Sequence, residues 1–326
     1  MILFCFGTRP EWLKIKPILN LMDKSKYKLL FTGQHPDLLK DVVVDYKITI
    51  TESLNRLDQL IADCLIQFPN DGFNSVLVQG DTASAFACSV AAFNRGIKIY
   101  YLEAGLRSYN LKHPYPEEAY RQMIARISDV CFAPTQISAN NLINEKVSGE
   151  VIVTGNTVLD NLVEFKNKCE YGDIVLVTMH RRENHQSMHE WFNYINDLAA
   201  EYTNLKFILP IHPNPNVQKH KHILNNVEII EPSPHTELLE LLIKSKLVIT
   251  DSGGLQEEGS FFNKKIIVCR ETTERPEAIE TGHLHLCKTP QQLKEIFDSL
   301  IKNYYINQNC PYGDGQSSQK IIKYLK

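Results

Sequence analysis

Short apolar runs recur along the whole chain, and within each run nearly every residue is apolar. A strand wetted on one face alternates apolar and polar residues, so runs without alternation predict a sheet covered on both faces, a parallel α/β layer. The first series comprises Ile2–Phe6, Lys28–Thr32, Ser75–Gln79, Ile97–Leu102, Val130–Pro134 and Val151–Gly155. Between the runs lie amphipathic stretches. Leu57, Leu60, Ile61, Cys64 and Leu65, spaced by three and four, give one a helical apolar face. The pattern then restarts as Ile174–Thr178, Lys206–Pro210, Val227–Ile230, Leu247–Thr250 and Lys265–Cys269. The polar stretch from Lys166 to Asp173 separates the two series and reads as a linker. The predicted fold class is therefore α/β, with two doubly wound, parallel-sheet (Rossmann-like) domains facing a cleft, residues 1–168 and 169–313. A length of 326 residues, long for one core, agrees with two domains.

The totals exclude several classes. A net charge of −3 argues against a general nucleic-acid partner. No apolar run approaches the ~18 residues that would span a bilayer, so no membrane partner is expected. The start, MILFCFGTRP, enters a strand without a basic leader region, so no signal peptide is expected. Eight cysteines contain no C-x-x-C pair and mostly fall in apolar runs. They read as reduced, buried small hydrophobes, which favours a cytoplasmic home.

Ligands of doubly wound sheets sit beyond the carboxyl ends of strands, so the residues following each run are the candidates. After the first run comes GTRPE. It places Gly7 in a tight turn and Arg9 at a helix N-terminus, where free N–H groups favour an anion. Pro17 is expected to kink that helix. After Ser75–Gln79 comes Gly80-Asp81-Thr82, in which Asp81 is either a helix N-cap or a functional acid. Glu103 ends a fully apolar run, and an unpaired carboxylate there would be costly, so it has a partner or a task. Pro116 begins a helix with Glu117 and Glu118 in its first turn. Glu117 and Arg121 are neighbours at i,i+4, though early acids also suit the helix dipole. Asp81, Glu103 and Glu117 would put three like charges near one cleft and raise at least one pKa into a useful range.

In the second series, His180-Arg181-Arg182 at a strand terminus reads as an anion site, and His212 lies between prolines. The stretch TDSGGLQEEGS offers Ser252, the Gly253-Gly254 backbone and helix N–H groups to phosphate. Glu258 suits sugar hydroxyls, so the geometry suggests a phosphate–ribose ligand. Its neighbour Glu257 reads as solvated or structural. There is no G-x-G-x-x-G and no P-loop.

In order, GTRPE, QGDT, EAGLRS, PEEAYR, VTGN, HRREN, TDSGGLQEE, RETTERPE and YGDG cover nearly the whole chain. Together they resemble the non-hydrolysing UDP-N-acetylglucosamine 2-epimerase family. The resemblance implies a GT-B-like fold whose last helix, about residues 314–326, completes the first domain. It implies UDP bound by Arg9, Arg181, His180, Ser252, Gly253, Gly254, Glu258 and Arg275. Asp81, Glu103, Glu117 and Arg121 would face the sugar, with Glu117 the first candidate base. The implied reaction is reversible C2 epimerisation of a UDP-2-acetamido sugar by elimination and re-addition of UDP. It needs no cofactor or metal, and a homodimer supplying nucleotide sugar for surface polysaccharide or glycan synthesis is expected. Modified UDP-hexose epimerases, hydrolysing epimerases and GT-B glycosyltransferases are the alternatives. The stretch after TGQHPDLL is compressed, so weak or absent activation by substrate is expected.

Overall fold

The computed structural model describes residues 1–35, 42–232, 234–273 and 275–325. The chain forms two compact units, Met1–Asn161 with Gly315–Lys326, and Leu162–Asp314. The start of the compressed stretch after TGQHPDLL, Lys40 and Asp41, lies outside the described residues.

Among the described residues, the first unit holds β1 (Ile2–Phe6), β2 (Tyr27–Phe31), β3 (Tyr46–Lys47), β4 (Ser75–Gln79), β5 (Lys98–Leu102), β6 (Val130–Ala133) and β7 (Glu150–Val153). These make one parallel sheet of order β3-β2-β1-β4-β5-β6-β7. The second unit holds β8 (Ile174–Thr178), β9 (Lys206–Pro210), β10 (Glu228–Ile230), β11 (Ser245–Thr250), β12 (Lys265–Cys269) and β13 (Leu284–Cys287). Their order, β10-β9-β8-β11-β12-β13, is again parallel and doubly wound. In each sheet the winding reverses beside the first strand, between β1 and β4 and between β8 and β11. Those are the topological switch points where such sheets bind ligands.

The unbroken apolar runs have the cause expected of them. Along β1, Leu3 and Cys5 enter one core while Ile2, Phe4 and Phe6 enter the core on the opposite face. Each large apolar side chain so covered stabilises by about 1.5–3 kcal/mol. The final helix, Ser317–Ile322, closes the second of these cores: Ile321 is fully buried in it, and the Tyr100 hydroxyl donates to the Tyr324 carbonyl at 3.0 Å. Asp160 accepts the Ser317 and Ser318 N–H groups at 3.1 and 2.6 Å, tying the helix start to the point where the chain leaves the first unit.

The polar stretch Lys166–Asp173 is fastened to the second unit instead of spanning freely. Glu170 and Gly172 donate backbone N–H groups to Ile243 and Lys244 at 2.9 and 3.0 Å. Lys264, fully buried, gives its ammonium to the carbonyls of Glu170, Ile243 and Ser245, three acceptors for three protons. The first helix, Arg9–Leu19, runs through Pro17 and ends two residues later. All eight cysteines are free thiols, six of them buried. No described helix is long and apolar enough to cross a membrane.

His283, just before β13, sits fully buried between Thr281 Oγ1 at 2.8 Å and Asn263 Oδ1 at 3.4 Å. Burial pushes its pKa down to about 4. An unfolded histidine titrates near about 6.5, so the unfolded chain takes the proton first as pH falls. The stability held by the neutral ring is complete above about 6.5 and is lost as pH falls toward about 4. Urea midpoints measured from pH 7 down to pH ~4.5 should decline, and His283→Gln should flatten that decline. A variant profile parallel to that of the parent chain would remove His283 from the account.

Candidate active site

The first candidate group surrounds the β1/β4 switch point. Glu11, in the first turn of helix Arg9–Leu19, turns back and accepts the N–H groups of Gly7 and Thr8 at 2.8 and 2.6 Å. It also accepts the Thr82 hydroxyl at 2.5 Å, and burial raises its pKa against these hydrogen bonds. Two of the N–H groups at GTRPE, those of Gly7 and Thr8, are therefore already in use, and the Arg9 side chain is exposed. Thr82, not Asp81, caps the helix Ala83–Asn94 by accepting from Ala85 N. Asp81 instead bonds the Arg121 guanidinium, at 2.7 Å from Nε and 2.5 Å from Nη2.

Glu103 follows β5 with φ +64°, a left-handed conformation that costs a non-glycine residue about 1–2 kcal/mol. Such strain clusters at functional sites. Its carboxylate takes the Lys14 ammonium and the Gln79 amide on Oε2, and the Asn156 amide at 3.3 Å on Oε1. Glu117 opens the helix Glu117–Ile127, and its buried Oε2 has no hydrogen-bond partner among the described residues. The three carboxylates predicted from the sequence thus do not share one crowded charge. Asp81 has Arg121, Glu103 has Lys14, and Glu117 keeps an unsatisfied oxygen. Burying such an acceptor without a partner costs roughly 1–3 kcal/mol, which makes it the group most in want of a proton donor.

Two neighbours of these residues are structural. Glu118, fully buried, accepts Ser108 N at 2.9 Å and Tyr109 N at 3.2 Å, and pairs with Arg121 at 3.3 Å. Arg107 makes a two-pronged pair with Glu145, both bonds 2.8 Å. Gly105, at φ +90°, is required there, because a Cβ would lie 2.2 Å from the Ser138 carbonyl oxygen.

The second group surrounds the β8/β11 switch point. Asp251, wholly buried at the end of β11, accepts the backbone N–H of His180 at 3.0 and 3.1 Å on its two oxygens. It also accepts Arg181 N at 2.9 Å and the Asn184 amide at 3.0 Å. This carboxylate shapes the whole HRREN loop. His180 stacks on His212, ring centroids 5.1 Å apart. Burial lowers the His180 pKa, Asp251 opposes that, and Arg181, His212 and His185 add to it. Among the described residues, the buried Nε of Arg181 has no hydrogen-bond partner.

Helix Gly253–Phe261 starts beside this loop. Ser252 occupies its N-cap position, yet its hydroxyl makes no capping bond. Without that cap, the first N–H groups and the dipole's positive end suit an outside acceptor. A Cβ on Gly254 would meet no protein atom within 4 Å, whereas one on Gly253 would press the Arg275 guanidinium at 3.0 Å. Arg275 Nε donates to Glu257 Oε1 at 2.8 Å. The pair fastens the RETTERPE segment under the helix start, and Glu257, almost fully buried, is structural and not solvated. Glu258 lines a pocket of about 270 Å³ with His180, His212, Ser252, Gly254 and Leu255. The described residues contain no group of acidic, histidine or cysteine side chains arranged for a metal.

Lys14, Gln79, Asn156 and Asp251 are partners that the sequence reading passed over. Gln79 had a readable signal, a polar residue ending a fully buried strand, whereas Asn156 follows the partly exposed Glu150–Val153 by three positions. Lys14 had none, since it looks like any helix lysine until its partner is known.

The model of the UDP-N-acetylglucosamine 2-epimerase family matches residues 20–326. The chain is 37% identical to the UDP-N-acetylglucosamine 2-epimerase of Neisseria meningitidis serogroup A, covering 99% of this chain and 98% of that protein. It is also 37% identical to that of Campylobacter jejuni, over 99% and 97%. Among solved structures, the S. aureus MnaA–UDP co-structure superposes with a TM-score of 0.89 at 34% identity, covering 100% of this chain and 95% of that one. The N. meningitidis UDP-GlcNAc 2-epimerase bound to UDP-GlcNAc gives 0.87 at 35%, covering 99% of both. Acinetobacter baumannii MurG, at 11% identity and a TM-score of 0.61 over 99% of this chain and 98% of that one, shares the fold alone, a GT-B-like pair of doubly wound sheets. By sequence and by structure, the chain belongs to the UDP-N-acetylglucosamine 2-epimerase family.

Proposed function

We propose that this protein epimerises C2 of a UDP-2-acetamido sugar, UDP-GlcNAc to UDP-ManNAc, by the non-hydrolysing route. The observation that carries the chemistry is the buried Oε2 of Glu117, without a hydrogen-bond partner among the described residues and one helical turn before Arg121, the cation that Asp81 holds. The relatives solved with UDP and with UDP-GlcNAc support the choice of ligand.

The C2 proton of such a sugar is not adjacent to a carbonyl, so its direct removal would leave an unstabilised carbanion. Elimination avoids this. Glu117 takes the C2 proton, the C–H electron pair becomes the C1–C2 double bond, and the C1–O bond breaks with its pair passing to the diphosphate. Arg181, His180, Ser252 and the N–H groups at Gly253 and Gly254 would receive the growing phosphate charge, with Arg9 a further cation. Arg275 supports that bed through Glu257, and Glu258 would take the ribose hydroxyls. Re-addition of UDP to C1, with a proton delivered to the other face of C2, completes the inversion. Asp81 with Arg121, and Glu103 with Lys14, are the candidates for that second delivery and for holding the ring. Such an enzyme would act as a homodimer and supply nucleotide sugar for surface polysaccharide or glycan synthesis.

Incubation with UDP-GlcNAc in D2O, followed by NMR, tests the reaction. Deuterium at C2 with UDP-ManNAc accumulating is the expected result. Free ManNAc with UDP would replace this reading with hydrolysis, and an unlabelled, unchanged sugar would refute it for this substrate.

A further inference from the structure

His235 is absorbed by none of the roles above. It opens the helix His235–Lys244 and follows Pro232 and Pro234, whose fixed φ angles restrict how the chain enters that helix. The ring lines the same pocket as Glu258, and its Nε2 lies 2.8 Å from Glu258 Oε1. A carboxylate oxygen accepts only, so Nε2 carries the proton in this bond. Glu258 is 5% exposed, and a carboxylate so covered is costly without a donor. Among the described residues, the hydrogen bond from His235 is the one its side chain makes, and it falls on one oxygen only.

We infer that His235 is a positioning residue for the ribose: it fixes Glu258 through Oε1 and so presents Oε2 to the ribose diol. This rests on the proposed role of Glu258 in UDP binding. The energetic logic is preorganisation. Without His235, the carboxylate must find its rotamer and shed competing water at the moment of binding, and the cost falls on the ribose contact alone. The phosphate groups, held by the loop after β8 and the helix start at Gly253, are unaffected.

The test compares UDP with 2′,3′-dideoxy-UDP by titration calorimetry on the full chain. The parent protein should prefer UDP by roughly tenfold or more, the worth of a hydrogen bond to a charged group. In His235→Ala, UDP should weaken by about tenfold while the dideoxy nucleotide binds as before, so the preference collapses. His235→Gln, which restores an amide donor, should recover most of it, and the Ala variant should raise KM far more than it lowers kcat. Parent protein indifferent to the ribose hydroxyls would refute the role of Glu258, and with it this inference. A parent that discriminates, with His235→Ala keeping the full preference or losing both ligands equally, would overturn the role of His235 alone.

Discussion

Glu117→Gln should lower turnover by about 100- to 10,000-fold, the usual worth of a general base, and leave UDP affinity where it was. The substitution keeps the size and planarity of the side chain and removes its basicity. Its neighbours should not move, because Oε2 makes no hydrogen bond to lose. Asp81 and Glu103 make poorer first bases. Each is held by a cation, and freeing it to accept a proton means breaking an ion pair. Isotope exchange separates two versions of the role. If Glu117 removes the C2 proton, the variant loses both deuterium incorporation and epimerisation. If exchange persists while epimerisation stops, Glu117 serves the opposite face, and one of the paired carboxylates is the base. Turnover near that of the parent would end its catalytic role in either direction.

The second large effect is expected at Asp251→Ala, and it should be a loss of shape. Three donors, the N–H groups of His180 and Arg181 and the Asn184 amide, converge on this one buried carboxylate. Alanine removes their shared acceptor, at about 1–3 kcal/mol for each that stays unsatisfied. Asn184 keeps the Cys269 carbonyl at 2.9 Å, so the total should be about 3–5 kcal/mol. Urea denaturation should show it, and UDP affinity should fall by at least about 100-fold as the His180–Arg181 loop loses its form. Full stability with binding lost would instead make Asp251 a direct ligand group. Both properties unchanged would remove it from the site.

The fold was legible where burial is continuous. Ile2–Phe6, Ser75–Gln79, Ile174–Thr178, Lys206–Pro210 and Lys265–Cys269 begin and end where the apolar runs do. The strands missed are those without such a run. Tyr46–Lys47 is two residues long, and Leu284–Cys287 is only half covered. The candidate site could be read as positions after strands but not as pairings. Residues after strands stood out because charges rarely end buried runs. What neutralises them depends on partners far along the chain: Lys14 is 89 residues from Glu103, and Arg121 is 40 from Asp81. Local pattern therefore predicted a crowd of like charges, while the folded chain delivers a cation to two of the three. Asp251 illustrates the same limit. Read locally it ends a strand, and only the approach of the loop after β8 turns it into that loop's template.

The last helix carries a consequence for biosynthesis. The first unit is built mainly from residues 1–161, yet Ile321, Ile322 and Leu325 near the end of the chain pack on one face of its sheet. On the ribosome, every strand of that sheet emerges before the segment that covers it, with the whole second unit translated in between. The contact between Tyr100 and Tyr324 spans 224 positions, so it forms last and closes a long loop. Until then Phe132 and Tyr100 lack the Tyr324 contact that later shields them. At elongation rates of about 5–20 residues per second, that interval lasts several seconds to half a minute. The nascent first unit is therefore the stage at which this chain most needs protection from its neighbours.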